Sequence, residues 1–217
     1  MKINIETDWI SFIESQKSKS YWPQLEMIVD QSYKSQIVLP NEENIFRCFN
    51  YFNVDNLEVV IIGQDPYPNQ GDACGLAFSV ERNYNLPHSL QNIFKELKND
   101  LGIKRTNGDL SDWSNQGVLL LNAALTFSKS QPDFLKLWAP FIEAVIEYID
   151  DNTKGVVFIL WGNFAKKFIP LIKNNASYII ALGHPSFALM HKQFFNTKPF
   201  SKTNRALQQL NKQIIKW

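Results

Sequence analysis

The chain has 217 residues, of which 45% are hydrophobic and 20% are charged, and its net charge is +1. These values are typical of a soluble globular protein and suit one α/β domain with a substantial core. The sequence has no apolar run near the roughly 18 residues that span a bilayer and no signal-peptide pattern at the N-terminus, so we expect a cytoplasmic protein without a membrane partner.

Helices and strands alternate along most of the sequence. The N-terminal third predicts helices over 9–16, 23–33 and 42–51, the last capped by Asn41. Four apolar runs then predict buried strands over 57–62, 118–121, 156–160 and 178–182. Helix-compatible segments separate them over 89–101, 139–148 and 164–172, and a final helix begins after Ser201. This alternation predicts a three-layer α/β/α sandwich around a central four-stranded, mainly parallel sheet, with residues 1–217 forming a single domain.

Polar side chains follow the predicted strands at the point where each strand ends. The carboxyl ends of parallel strands meet at one edge of a sheet, where open α/β proteins bind their ligands. We therefore expect one crevice to collect an acid, an amide, an aromatic ring and a histidine. These residues are Gln64, Asp65 and Tyr67 after the first strand, Asn122 after the second, Gly162 and Asn163 after the third, and His184 and Ser186 after the fourth.

The charge is unevenly distributed along the chain. Residues 151–217 hold ten Lys or Arg and one acid, Asp151, which gives a net charge of +9, whereas residues 1–150 have a net charge of −8. The uneven distribution has two interpretations. It is either a chance clustering on a solvated surface or a basic face that meets a polyanion such as nucleic acid.

The metal-binding residue types are sparse. Two cysteines, Cys48 and Cys74, are too few for a four-thiolate cluster, and the three histidines do not follow them at zinc-site spacing. The sequence therefore predicts no metal and no cofactor.

Several motifs occur in a fixed order: GQDPY at 63–67, GLAFSV at 75–80, LLLN at 119–122, LWG at 160–162, HPS at 184–186 and FSKTN at 200–204. Together they resemble the uracil-DNA glycosylases of the first, uracil-specific family, and the resemblance extends from about residue 40 onward. It implies a monofunctional glycosylase that flips uracil out of DNA, hydrolyses its N-glycosidic bond and leaves an abasic site for base excision repair.

Two residues carry the chemistry that the resemblance implies. Asp65 matches the family's catalytic acid, and an ionised carboxylate can stabilise the cationic sugar and orient water. His184 matches the histidine that donates a hydrogen bond to uracil O2. The alternatives are an aspartate that only caps a turn and a structural histidine at a strand end.

Four further residues match the family's base pocket. Asn122 reads the O4 and N3 edge, since an amide offers both a donor and an acceptor. Phe78 stacks on the flipped base, although core packing in a strand over 76–80 is the alternative. Tyr67 blocks the pyrimidine 5 position, and the backbone of Gln64 helps to hold the base.

Short loops are expected to grip the DNA backbone, because small side chains and backbone N–H groups suit phosphate contacts. The matching residues are Ser89, Gly162, Asn163, Ser186, Phe187 and Ala188. Three of these loops depart from the family. Pro68 stands where the family has a water-positioning His, Asn163 replaces a Ser, and Phe187-Ala188 replaces a Pro-Leu pair whose leucine enters the duplex.

These departures leave two other functions open. One is a glycosylase for another modified pyrimidine, for example in defence against modified foreign DNA, and the other is a DNA-binding accessory protein on a glycosylase scaffold with weak catalysis. The predicted partner is uracil-containing DNA, single- or double-stranded, bound by a monomer. A protein inhibitor or a replication partner is a further candidate.

Overall fold

The computed structural model describes residues 1–82, 84–130, 133–187 and 194–217. Its sheet confirms the predicted strands to within two residues at each end: β1 is Val59–Gly63, β2 Val118–Asn122, β3 Val157–Trp161 and β4 Tyr178–Leu182. The strand order is β2-β1-β3-β4, and every neighbouring pair is parallel. The first three strands are buried throughout, as their unbroken Val, Ile and Leu runs predict.

Helices cover the sheet, as the alternating pattern predicts. They are α1 (Trp9–Gln16), α2 (Trp22–Ser35), α3 (His88–Leu101), α4 (Ser111–Ser114), α5 (Phe134–Asn152), α6 (Gly162–Ala165) and α7 (Pro199–Gln209). The α5 helix is longer than the predicted 139–148, because Asp133 caps its start and the buried rings of Phe134 and Trp138 extend its apolar face. The described part of the chain has no helix that is long and apolar enough to cross a membrane.

Two helix predictions are wrong. Residues 42–51 form 3-10 turns over Glu42–Asn44 and Arg47–Phe49, and the Asn41 side chain makes no capping hydrogen bond. The apolar side chains of 45, 46, 48 and 49 are all buried, as one face of a helix would also place them, so burial alone did not distinguish a helix from these turns. Residues 164–172 form the short α6 and a 3-10 helix over Lys166–Leu171, because Pro170 lacks the N–H that an α-helix needs.

The helices form a layer on each side of the sheet. Right-handed crossovers place α3 and α4, which join β1 to β2, on one face and α5, which joins β2 to β3, on the other. Two separate groups of aromatic rings fill these interfaces: Trp9, Phe12, Trp22 and Phe141 in one, and Trp113, Trp161, Phe200 and Trp217 in the other. Because the chain leaves β1 and β3 in opposite directions, a crevice opens at their carboxyl ends.

Candidate active site

A cavity of about 160 Å³ lies at this crevice, and it brings together the predicted catalytic and base-binding residues. Asp65 and Tyr67 come from the loop after β1, Asn122 from the end of β2, and His184 from the loop after β4. The predicted residues that line it are Gln64, Asp65, Tyr67, Phe78, Ser89, Asn122, His184 and Ser186. Such a cavity is smaller than the roughly 300 to 1,000 Å³ of sites for drug-sized ligands, so it suits a single heterocycle.

The Asn122 side chain occupies space that Gly63 leaves open. The two residues are register partners in neighbouring strands, and a Cβ on Gly63 would lie 2.3 Å from the Asn122 Oδ1. Beyond the strands, Ala123 N donates to Gly63 O and Ala124 N to Gln64 O, both at 2.9 Å. Asn122 is only 7% exposed. The glycine at the start of the GQDPY motif therefore places an amide at the floor of the cavity.

Asp65 is half-buried, and burial raises the pKa of its carboxyl, while a hydrogen bond from the Gln64 side chain lowers that pKa in part. The same carboxylate lines a second cavity of about 170 Å³, together with Thr126, Ser128 and Asp133 among other residues. Asp65 therefore lines two cavities, and among the described residues the group that lowers its pKa is the neutral Gln64 amide and not a cation. In the described part of the chain, no three His, Cys, Asp or Glu side chains gather as metal ligands would.

His184 is held in one tautomer by its own loop. The backbone N–H of Ser186 donates to His184 Nδ1 at 3.1 Å, so this nitrogen is an acceptor and Nε2 carries the ring proton. Burial lowers the pKa of the imidazole, which keeps it neutral at neutral pH. Gly162 adopts a φ of +88°, and a Cβ there would lie 2.8 Å from the His184 Cβ. This glycine thus makes room for the histidine.

Tyr67 is tied to two neighbours by its hydroxyl. The hydroxyl donates to the Phe78 carbonyl at 3.1 Å and shares a hydrogen bond of 2.8 Å with Ser89 Oγ. Phe78 is not in a strand but has a φ of +64°, a strained conformation for a non-glycine residue. Its ring lies 6.2 Å from the His184 ring and 5.3 Å from Trp161. The bonded Tyr67 hydroxyl therefore braces a strained turn that presents a ring to the cavity.

Three polar residues of α3, missed by the sequence reasoning, hold the loop after β4. They stand four residues apart along the helix. Asn92 Nδ2 donates to Pro185 O at 2.7 Å, the Glu96 carboxylate accepts from the N–H groups of residues 196 and 198, and Asp100 accepts from the N–H of 201. We call Asn92, Glu96 and Asp100 the α3 ridge. In the sequence, polar residues four positions apart next to apolar residues on the same helix are the signal that could have identified this ridge.

Some of the predicted DNA-binding residues lie at the active-site cavity and others do not. Ser89 is only 6% exposed, and with Ser186 it lines a trough of about 500 Å³ next to Tyr67 and Pro68. Neither Gly162 nor Asn163 lines the cavity of about 160 Å³, and Asn163 is exposed. Ala188 lies outside the described residues, as does the side chain of Phe187.

Comparisons with known proteins agree with this geometry. The model of the Uracil DNA glycosylase superfamily matches residues 49–208. Proteins named uracil-DNA glycosylase from Azobacteroides pseudotrichonymphae and Aliarcobacter butzleri are 42% and 40% identical to the chain. The first alignment covers all of both proteins, and the second covers 96% of this chain and 99% of the relative.

Solved structures are similar as well. The mimivirus uracil-DNA glycosylase superposes with a TM-score of 0.89 at 31% identity, over 96% of this chain and 85% of that one. A Nitratifractor salsuginis enzyme at 19% identity and a TM-score of 0.60, over 88% and 94% of the two chains, shares the fold. The match over most of the chain and the full-length relatives lead to one conclusion: this chain belongs to the uracil-DNA glycosylase superfamily.

Proposed function

We propose that the protein is a uracil-DNA glycosylase, which hydrolyses the bond between uracil N1 and deoxyribose C1′ and leaves an abasic site. The observation that carries the proposal is the cavity of about 160 Å³, where Asp65, Tyr67, Phe78, Asn122 and His184 converge. The full-length relatives that are named uracil-DNA glycosylase support the same reaction.

The cavity offers a partner for each edge of uracil. The Asn122 amide provides an acceptor for N3–H and a donor for O4, and the Nε2–H of His184 provides a donor for O2. The Phe78 ring supplies an apolar face for stacking. Tyr67, fixed by Ser89 and the Phe78 carbonyl, closes the side of the cavity where a 5-methyl group would stand. This fixed wall favours uracil over a 5-substituted pyrimidine.

The reaction follows from the charges at the site. When the N1–C1′ bond breaks, its electron pair leaves with the uracil, and positive charge develops on the sugar. His184 stabilises the anionic base through the hydrogen bond to O2, and the Asp65 carboxylate stabilises the cationic sugar. The oxygen of a water molecule then bonds to C1′, and its proton passes to Asp65 or to solvent. We place this water in the second cavity beside Asp65, because Pro68 has no polar side chain with which to orient it.

DNA reaches this cavity only if the nucleotide leaves the stack, since the cavity lies at the end of the strands and has room for one ring. The trough beside Ser89 and Ser186 suits the phosphates next to the flipped nucleotide. The excess of Lys and Arg after residue 150 supplies a favourable field for the DNA backbone. Flipping costs less in a single strand than in a duplex, so both kinds of DNA are substrates.

The whole chain acts as one domain in this proposal. The N-terminal helix α1 packs against α5 through Trp9, Phe12, Phe141 and Tyr148, so residues before the family match share its core. A variant of the mimivirus enzyme was solved in complex with UGI. A protein inhibitor of the UGI type is therefore the first partner besides DNA to test, by inhibition of uracil release at equimolar inhibitor.

Uracil release is the experiment that tests the proposal. Single- and double-stranded oligonucleotides with one uracil are incubated with the purified protein, and abasic sites are read by strand cleavage in alkali. The same panel carries thymine and other 5-substituted pyrimidines at the same position. Release of uracil alone supports the proposal. Failure on both uracil substrates, or faster release of a 5-substituted base, contradicts it.

A further inference from the structure

An apolar groove of about 290 Å³ lies beside the active-site cavity and has no part in the proposed reaction. Its floor consists of Ile37, Leu39, Pro68 and Phe127. Ile37 is 68% exposed, which is unusual for a large aliphatic side chain in the described part of the chain. Polar groups surround this floor, and they belong to Gln70, Ser128, Lys129 and Ser130. We call this the lateral groove.

The walls of the lateral groove are held together by hydrogen bonds. Leu39 and Phe127 form an isolated antiparallel bridge, in which each N–H donates to the other carbonyl at 2.8 Å. Next to this bridge, Ser128 Oγ donates to Gln36 Oε1 at 3.1 Å. The groove is therefore a preformed feature, since two chain segments distant in sequence fix its shape.

The lateral groove is continuous with the site of the proposed reaction. Pro68 lines both the groove and the active-site cavity. Phe127 and Ser128 line both the groove and the second cavity beside Asp65. A DNA strand whose uracil occupies the cavity, with its sugar beside Asp65, therefore has the groove within reach of an adjacent nucleotide. Pro68 also lines the trough of Ser89 and Ser186, which is available to the strand on the other side of the uracil.

We propose that the lateral groove binds the nucleotide adjacent to the uracil on the same DNA strand. Its base packs on Ile37, Pro68 and Phe127, and Lys129 contacts its phosphate. Proteins that bind single strands combine such apolar or aromatic platforms with basic side chains, and this binding tolerates any base. The residues that line the groove carry one positive charge and no carboxylate, which favours an anionic group, and the continuity with the active-site cavity makes a phosphate of the bound strand that group. This subsite rests on the proposed function.

Oligonucleotide length reports the subsite directly. Single-stranded substrates with one uracil are extended one nucleotide at a time, on the 5′ side or on the 3′ side, and kcat/KM is measured for each. On the side that reaches the groove, one added nucleotide should raise kcat/KM by about 5-fold or more, since stacking of a base contributes about 1–3 kcal/mol. On the other side of the uracil, the effect of an added nucleotide on kcat/KM should not depend on Ile37.

Two variants test the roles of Ile37 and Lys129 in the lateral groove. Ile37→Asp should lower the ratio of kcat/KM between the long and short substrates towards one, because a carboxylate repels the phosphate and removes the apolar face. Lys129→Gln should reduce the slope of log kcat/KM against log salt by about 1 on the long substrate. The matched control is Ile214→Asp, the same change at a 49% exposed isoleucine at the opposite edge of the sheet. In Ile214→Asp, the ratio of kcat/KM between the long and short substrates should equal that of the wild type.

The outcomes separate the subsite from the proposed function. If the wild type releases uracil but length on neither side matters, or Ile37→Asp affects long and short substrates equally, the subsite is wrong and the function stands. If the wild type releases no uracil from any substrate, the proposed function itself falls. A length dependence that survives Ile37→Asp would assign the adjacent nucleotide to another surface.

Discussion

The two edges of the sheet both carry a cavity and a half-buried carboxylate, yet only one has the groups for chemistry. The cavity at the amino edge is the larger, about 830 Å³ against about 160 Å³ at the carboxyl edge. Its lining holds Glu58 and Lys212 together with several Asn and Gln side chains. Cavity size alone would therefore have selected the wrong edge.

The difference lies in what surrounds each carboxylate. Burial raises the pKa of Glu58, but Lys212 opposes that shift from 3.3 Å and also donates to the Leu57 carbonyl at 2.7 Å. In the described part of the chain, the group that opposes the raised pKa of Asp65 is a neutral amide, Gln64. A paired carboxylate stabilises structure, whereas an unpaired one beside a cavity is available to a developing cation. The carboxyl edge is thus distinguished by an uncompensated charge.

The largest expected effect removes that charge. Asp65→Asn should lower kcat for uracil release by between about 100- and 10,000-fold, because the amide can neither stabilise the cationic sugar nor accept a proton from water. DNA binding should remain. The melting temperature should rise, since a carboxyl whose folded pKa is raised destabilises the fold when ionised at neutral pH. Kinetics, DNA binding and calorimetry on the same variant check the three results.

The matched control lies at the other edge. Glu58→Gln also replaces a half-buried carboxylate by its amide, and it should leave kcat within about 2-fold while altering the melting temperature through its ion pair with Lys212. Equal losses of kcat in the two variants would contradict the distinction between the edges.

The pH dependence sharpens the comparison. Because burial raises the pKa of Asp65, the carboxylate is protonated at a higher pH than an ordinary aspartate, and kcat should fall as pH decreases through that raised value. The pKa of His184 is lowered, so no loss should occur near its ordinary 6.5. Gln64→Leu removes the hydrogen bond that lowers the Asp65 pKa, and it should move the acid limb to higher pH. An unchanged limb, read from kcat against pH, would contradict this account of Asp65.

The sequence predicted the sheet and the members of the cavity because both depend on local patterns. Unbroken apolar runs identified four parallel strands, and the polar residues at their ends identified Asp65, Asn122 and His184. Parallel topology then dictates that such residues share one edge. The turns over 42–51 were missed because the buried residues 45, 46, 48 and 49 follow the spacing of an amphipathic helix, which the 3-10 turns share.

The supporting contacts could not be predicted in the same way. Asn92 contacts Pro185 across 93 residues of chain, and the Tyr67–Ser89 bond joins the loop after β1 to the first turn of α3. No local pattern encodes the partner of a side-chain hydrogen bond. The phosphate contact of Ser89 stays a prediction, and the bond between its hydroxyl and Tyr67 is a second role that the sequence did not indicate.

The next effect tests Asn92, the residue of the α3 ridge that contacts the loop next to His184. Asn92→Leu keeps the branching of the side chain but loses the donor to Pro185 O, so the loop that carries His184 should shift. We expect kcat to fall about 10-fold, a loss of about 1.4 kcal/mol in transition-state stabilisation, with KM for the oligonucleotide little changed. Steady-state kinetics together with the melting temperature provide the measurement.

An asparagine outside the site provides the control for this effect. Asn152 donates to the Tyr148 carbonyl at 2.8 Å near the end of α5, and Asn152→Leu should leave kcat unchanged. If Asn92→Leu lowers the melting temperature but not kcat, Asn92 supports the fold alone and does not position His184.

The smallest effect concerns Ser89, for which two roles compete. If Ser89 braces Tyr67, Ser89→Ala should loosen the wall and raise the release of thymine relative to uracil a few-fold, about 1 kcal/mol or less. Tyr67→Phe removes this bond together with the bond to the Phe78 carbonyl, so Ser89→Ala should add nothing when it is combined with Tyr67→Phe. If Ser89 instead holds a phosphate, selectivity should stay constant and the slope of log kcat/KM against log salt should fall by about 1.

The hydrogen-bond donors at Tyr67 favour the first role. The Tyr67 hydroxyl gives its one proton to the Phe78 carbonyl, so Ser89 must donate the bond between Ser89 and Tyr67. A Ser89 proton used in that bond cannot also bind a phosphate. We therefore expect selectivity to change.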